Sequence, residues 1–132
     1  MEKLVIEATP NTPGIVLDPV EGKFSFSGES RPENVRKFYL PVLEWLESYT
    51  AELKASDKPA KGMEFHFSFE YFNSTSSKFI LDIFKLISQL NEAGLEPGVH
   101  WYYEEDDEDM LEVGEEMSRM SKLPFSFIVT ED

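Results

Sequence analysis

Met63-Glu64-Phe65-His66-Phe67-Ser68-Phe69-Glu70-Tyr71-Phe72 is the run that decides the fold. Successive side chains of a strand point to opposite sides, so Phe65, Phe67, Phe69 and Tyr71 share one face and Glu64, His66, Ser68 and Glu70 the other. The run passes straight into Asn73-Ser74-Thr75-Ser76-Ser77 and then into Lys78 to Glu92. There Phe79, Ile80, Ile83, Phe84, Ile87 and Leu90 recur at helical spacing, up to a closing Gly94. A strand handed to a helix over so short a turn is half of a β-α-β crossover, and a sheet with helices packed on it is the architecture to expect.

The flanks extend the same pattern. On the amino-terminal side, Leu4 to Ile6, Gly14 to Asp18 and Lys23 to Gly28 read as strands, the last two joined by a tight Pro19-Val20-Glu21-Gly22 hairpin. Ser30-Arg31-Pro32-Glu33 fits a capping box, which predicts a helix starting there. Val35, Phe38, Tyr39, Val42, Leu46, Tyr49 and Leu53 continue it, with Pro41 expected to kink it or divide it in two. On the carboxy-terminal side, Val99 to Tyr103 predicts a strand, Asp109 to Ser121 a helix with Met110, Val113, Met117 and Met120 toward the core, and Phe125 to Val129 a last strand. The order βββ-α-β-α-β-α-β predicts an α/β fold, one mixed sheet with about three helices, partly parallel because three strand-to-strand steps cross through helices.

The 132 residues are expected to form one domain over 1–132. With 41% hydrophobic residues and 11 Phe, there is apolar material for a real core. Twelve Lys and Arg stand against 26 Asp and Glu, a formal charge of −14. Such a surface argues against nucleic-acid and membrane partners, whose attraction rests on cationic side chains. With no cysteine, disulfides and thiol chemistry are excluded. No secretory signal or long apolar run is present, so a cytoplasmic location is expected.

Chemistry concentrates at the junction of residues 73–77. The first turn of a helix leaves backbone N–H groups unpaired, and one Asn or Ser suffices to cap them. Asn73 or Ser74 as cap with solvated hydroxyls behind it is one reading. The other is a regulatory phosphoacceptor, since a phosphoryl group adds about −1.5 to −2 charge at a place where free N–H groups and the helix dipole favour an anion. A catalytic reading pairs a serine of the Ser74-Ser77 cluster with His66 or His100 as a small hydrolase. No G-x-S-x-G elbow supports it, and no glycine-rich phosphate loop occurs. The acidic run Glu104 to Asp109 lacks the glycine of an EF-hand loop and reads as carboxylates placed before a helix. No metal and no cofactor is expected.

Several stretches together are similar to the SiaC family of bacterial regulatory phosphoproteins. They are Thr12-Pro13, Ser30-Arg31-Pro32-Glu33-Asn34, Phe38-Tyr39, Trp45-Leu46, Tyr71-Phe72-Asn73-Ser74-Thr75-Ser76-Ser77-Lys78, Ile80-Leu81-Asp82-Ile83, Trp101-Tyr102-Tyr103, Asp107-Glu108-Asp109-Met110, Gly114-Glu115 and Pro124-Phe125. The likeness spans nearly the whole chain, and the block from Tyr71 to Lys78 is its most specific part. The resemblance implies a STAS-like, anti-sigma-factor-antagonist-like fold and a partner-switching regulator that is not an enzyme. It implies a cognate Ser/Thr kinase, a PP2C-type phosphatase, and a diguanylate cyclase that the unmodified form binds and activates, raising cyclic di-GMP and promoting biofilm growth. By alignment the phosphoacceptor falls on Ser74, where the family often has Thr, with Thr75 as the alternative. The expected partner contact is Tyr71, Phe72, Asn73, Ser74, Thr75, Ser76, Ser77 and Lys78.

Overall fold

A computed structural model describes residues 1–56 and 62–130. The elements are β1 (Leu4–Ile6), β2 (Gly14–Asp18), β3 (Lys23–Ser30), α1 (Val35–Ala55), β4 (Glu64–Phe72), α2 (Ser74–Glu92), β5 (Gly98–Glu104), α3 (Glu108–Ser121) and β6 (Ser126–Thr130). The strands form one sheet in chain order, β1-β2-β3-β4-β5-β6. The two hairpin steps are antiparallel and the three that cross through helices are parallel, as the connection lengths require. Right-handed crossovers between adjacent strands put α1, α2 and α3 on the same face of the sheet.

That face carries the core. Register aligns Phe24 with Phe65 and Phe26 with Phe67 across β3 and β4, and Phe67 with Trp101 across β4 and β5. The rings stack along the sheet, at 4.4 Å for Phe24 and Phe65 and 4.6 Å for Phe26 and Phe67. Onto this floor α1 lays Tyr39, Val42 and Leu46, and α2 lays Ile80, Ile83, Phe84 and Ile87, all buried. Each such side chain contributes about 1.5–3 kcal/mol by leaving water. α3 sits over β5 through Gly114, where an added Cβ would lie 2.5 Å from Trp101 Nε1; the same indole nitrogen donates to the Met110 carbonyl.

Several expected boundaries change. The capping box at Ser30 is not used: Ser30 ends β3, paired with Phe72, after a register shift between Gly28 and Glu29. Asn34 caps α1 instead, its side chain accepting from the Lys37 N–H, because a buried hydroxyl at the end of a strand cannot also cap a solvent-facing turn. Pro41 lies inside α1 without dividing it. The buried stripe from Tyr39 to Tyr49 fixes the helix on both sides of the proline, so only one backbone hydrogen bond is given up. Of the two expected caps for α2, Asn73 is the one used, and the helix begins at Ser74. Met120 is the exception among the α3 methionines, 52% exposed while Met110 and Met117 are buried.

Candidate functional site

The carboxyl end of β4 delivers Tyr71 and Phe72 to the rim of the sheet. The expected alternation ends at Phe69: with the register shift between Gly28 and Glu29, Phe72 turns inward, against Phe69 and edge-on to Trp101, while Tyr71 leaves the core face and stays exposed with the Arg31 guanidinium 5.8 Å from its ring centre. Asn73 then caps α2: its Oδ1 accepts from the Ser76 N–H at 2.9 Å and from the Thr75 hydroxyl at 3.0 Å. Its own N–H donates to the Ser30 carbonyl. The turn is thus held from the cap side by a residue 43 positions earlier in the chain, at the end of the neighbouring strand.

The four hydroxyls have four different situations. Ser74, first residue of α2, is exposed, and its hydroxyl makes no hydrogen bond among the described residues. Thr75 is exposed, with its proton on Asn73. Ser76 is fully buried, and its hydroxyl donates to the Ser30 carbonyl at 3.0 Å while accepting from Ser30 Oγ at 2.9 Å. Ser77 donates to the Ser74 carbonyl at 2.6 Å. Ser76 must therefore be withdrawn from the expected contact stretch, since a side chain with no exposed surface touches no partner. Tyr71, Ser74, Thr75 and Lys78 are exposed, and Phe72, Asn73 and Ser77 are half-buried.

Beside the turn lies a cleft of about 530 Å³ between the start of α2 and α3, lined by Phe72, Asn73, Ser74, Ser77, Lys78, Leu81, Val113, Glu116, Met117 and Met120. Its walls are mainly apolar and its mouth carries Ser74, Lys78 and Glu116. The sequence pattern assigns Val113, Met117 and Met120 to the core; in the fold they form the wall that α3 presents toward the turn. Of the three, Met117 is buried, Val113 half-buried and Met120 exposed, a difference that hydrophobic spacing along one helix does not encode.

The histidines lie elsewhere. His66 and His100 are directly paired across β4 and β5 on the helix-free face, rings 4.8 Å apart and nearly parallel. His66 Nδ1 bonds the Tyr102 hydroxyl at 2.8 Å, and His100 Nε2 bonds Glu64. Desolvation, and then the neighbouring His100, lower the His66 pKa, with Glu64 acting in the opposite direction and Lys23 in the same one. Neither ring touches Ser74, Thr75, Ser76 or Ser77, which stand at the far end of β4 on the helix side. The expected alternative of a serine hydrolase is not assembled, because strand alternation turns both rings away from the serine turn. Among the described residues no group of three His, Cys, Asp or Glu side chains could hold a metal ion. In the acidic run, Asp107 caps α3 by accepting from the Met110 N–H at 3.0 Å, and Glu108 and Asp109 occupy its first turn. No helix of the described residues is long and apolar enough to cross a membrane.

Comparison with known proteins places this geometry. The family described as SiaC family regulatory phosphoprotein matches residues 6–130. An uncharacterized protein of Pseudomonas aeruginosa (strain UCBPP-PA14) is 29% identical over 126 residues, 96% of this chain and 95% of that one. The crystal structure of apo-SiaC from Pseudomonas aeruginosa is similar with a TM-score of 0.82 at 29% identity, over 98% of this chain and 100% of that one. A crystal structure of the diguanylate cyclase SiaD in complex with its activator SiaC, from the same organism, matches with a TM-score of 0.84 at 28% identity, over 96% and 99% of the two chains.

Proposed function

The chain belongs to the SiaC family of regulatory phosphoproteins, and from that premise we propose that it is a non-enzymatic partner-switching regulator controlled by phosphorylation of Ser74, or else Thr75, at the β4-α2 turn. The observation that carries the reading is the Ser74 hydroxyl: exposed, unengaged, and standing at the mouth of an apolar cleft.

Physics supports each half of the switch. The N–H groups of Ser74 and Thr75 open α2 and have no carbonyl one turn back to bond, so a phosphoryl group there meets donors and the positive end of the helix. The fold survives the modification because no core group is displaced. A partner seated in the cleft would not, since about −1.5 to −2 charge arrives at the edge of its apolar contact, in a lining that carries Glu116 against Lys78. The unmodified form is the binding form.

The partner is a diguanylate cyclase, by analogy with the related protein that activates one, and the unmodified chain raises cyclic di-GMP output and favours biofilm growth. A dedicated Ser/Thr kinase and a PP2C-type phosphatase set the modified fraction. The protein acts in the cytoplasm, where a nucleoside triphosphate is available to the kinase. The test is the intact mass of the protein isolated from its own cells. It should contain a fraction heavier by one phosphoryl group, removed by phosphatase treatment and lost in Ser74→Ala or in the double variant with Thr75→Ala. A single unmodified mass under every growth condition would overturn the reading.

A further inference from the structure

Under the turn, three hydroxyls from three different elements meet in the core: Ser30 from the end of β3, Tyr39 from α1 and Ser76 from α2, each fully buried. Their protons can be assigned. The Ser76 hydroxyl donates to the Ser30 carbonyl at 3.0 Å, and the Ser30 hydroxyl donates to Ser76 Oγ at 2.9 Å. A serine has one proton, so the contact between Ser30 Oγ and the Tyr39 hydroxyl is made with the tyrosine proton. Burial pushes the Tyr39 phenol up to about 12, against the pull of its hydroxyl neighbours, which keeps it a neutral donor. The chain runs in one direction, Tyr39 to Ser30 to Ser76 to the Ser30 carbonyl, with every proton used. The same carbonyl takes the Asn73 N–H at 3.1 Å. Asn73 and Ser76 are thereby both fixed to one point, and Ser74 and Thr75 are the two residues bracketed between them.

We infer that the Tyr39-Ser30-Ser76 chain is a positioning device that selects Ser74 over Thr75 as the modified hydroxyl. The inference rests on the phosphorylation switch proposed above. In the transfer, the acceptor oxygen forms a bond to the γ-phosphorus of a nucleoside triphosphate, the bond to the β-γ bridging oxygen breaks, the nucleoside diphosphate leaves with that oxygen, and the hydroxyl proton passes to the base of the kinase. With the turn locked, the Asn73 carboxamide holds the Thr75 proton at 3.0 Å, whereas the Ser74 proton is free to be taken. Releasing the chain lets the Asn73 side chain move, frees Thr75, and removes the distinction. Tyr39, Ser30 and Ser76 touch no reacting atom; they act through the cap.

The experiment expresses the wild type, Tyr39→Phe and Ser76→Ala in the protein's own cells, isolates each, and locates the phosphate by tandem mass spectrometry. Amide exchange at residues 73–77 is measured on the same samples. The wild type should carry phosphate on Ser74 over Thr75 by about fivefold to tenfold, the ratio that one ordinary hydrogen bond supports. Both variants should exchange faster at 73–77, keep the protection of β4 and β5, and bring the ratio toward one. A general loss of stability would lower the total phosphate without moving its position. An unchanged ratio in variants whose turn has demonstrably loosened overturns the inference, as does a wild type modified mainly on Thr75. Phosphate on neither residue in the wild type would instead overturn the switch itself, and the inference with it.

Discussion

Two polar clusters stand at the ends of the same strand, and they are satisfied in opposite ways. On the helix-free face His66 bonds Tyr102 and His100 bonds Glu64, each ring answered by a neighbour on the same surface. At the β4-α2 turn the anchoring comes from beneath, from Ser30 in the core, which consumes the Ser76 hydroxyl, while the Ser74 hydroxyl makes no hydrogen bond among the described residues. The first cluster closes on itself. The second holds one hydroxyl rigidly in solvent beside an apolar cleft, which is what a modifiable contact needs and a merely structural one does not.

Ser74 is the residue at which the two clusters differ most. Ser74→Asp should weaken binding to the partner by about 100-fold, roughly 2.7 kcal/mol on the affinity scale, measured by calorimetry once the partner is in hand, while Ser74→Ala binds like the wild type. Equal affinity for the two variants would reduce the turn to a passive cap. Next in size is the seat of α3 on β5. Gly114→Ala drives a Cβ to 2.5 Å from the Trp101 indole and should cost about 1–3 kcal/mol of stability by overpacking, seen as a lower denaturant midpoint. Asn73→Ala leaves the Ser76 N–H without its acceptor and should cost about 1 kcal/mol; a loss confined to amide protection near residues 73–77 would locate the effect.

The helix-free face should give the smallest response. The His66 pKa is lowered in the fold from an ordinary 6.5, chiefly by desolvation and then by His100. The unfolded chain therefore binds more protons on acidification, so the contribution of this ring is complete above about 6.5 and is lost as the pH falls through the lower folded value. The melting temperature of the wild type should drop slightly more than that of His66→Gln between neutral and mildly acidic pH. Partner binding by His66→Gln should not change, and a large change would move the functional surface to that face.

The sequence discloses these regions unevenly. Strand β4 is legible because Phe65, Phe67 and Phe69 alternate onto the core face, although the register shift opposite Gly28 and Glu29 leaves Tyr71 outside that alternation, and a cap at Asn73 or Ser74 is legible because the chain changes period there. The role of Ser76 is not legible: nothing local separates it from Ser74 or Ser77, and its burial depends on Ser30, 46 residues away in the chain. The same Ser30 misleads about α1, since Ser-Arg-Pro-Glu has the form of a capping box while the pairing of Ser30 with Phe72 keeps it in β3. Met120 shows the converse, a residue at core spacing that is left exposed. Periodicity reports which face of an element is apolar; which part of that face is then covered is decided by elements distant in sequence.

The switch at Ser74 is read out by capture from the protein's own cells. Tagged Ser74→Ala and Ser74→Asp chains, expressed at equal levels, are used as bait and the retained proteins quantified by mass spectrometry. A diguanylate cyclase should be enriched on the alanine form and absent from the aspartate form. Equal recovery of the cyclase on both, or its absence from both, would contradict a switch at this turn.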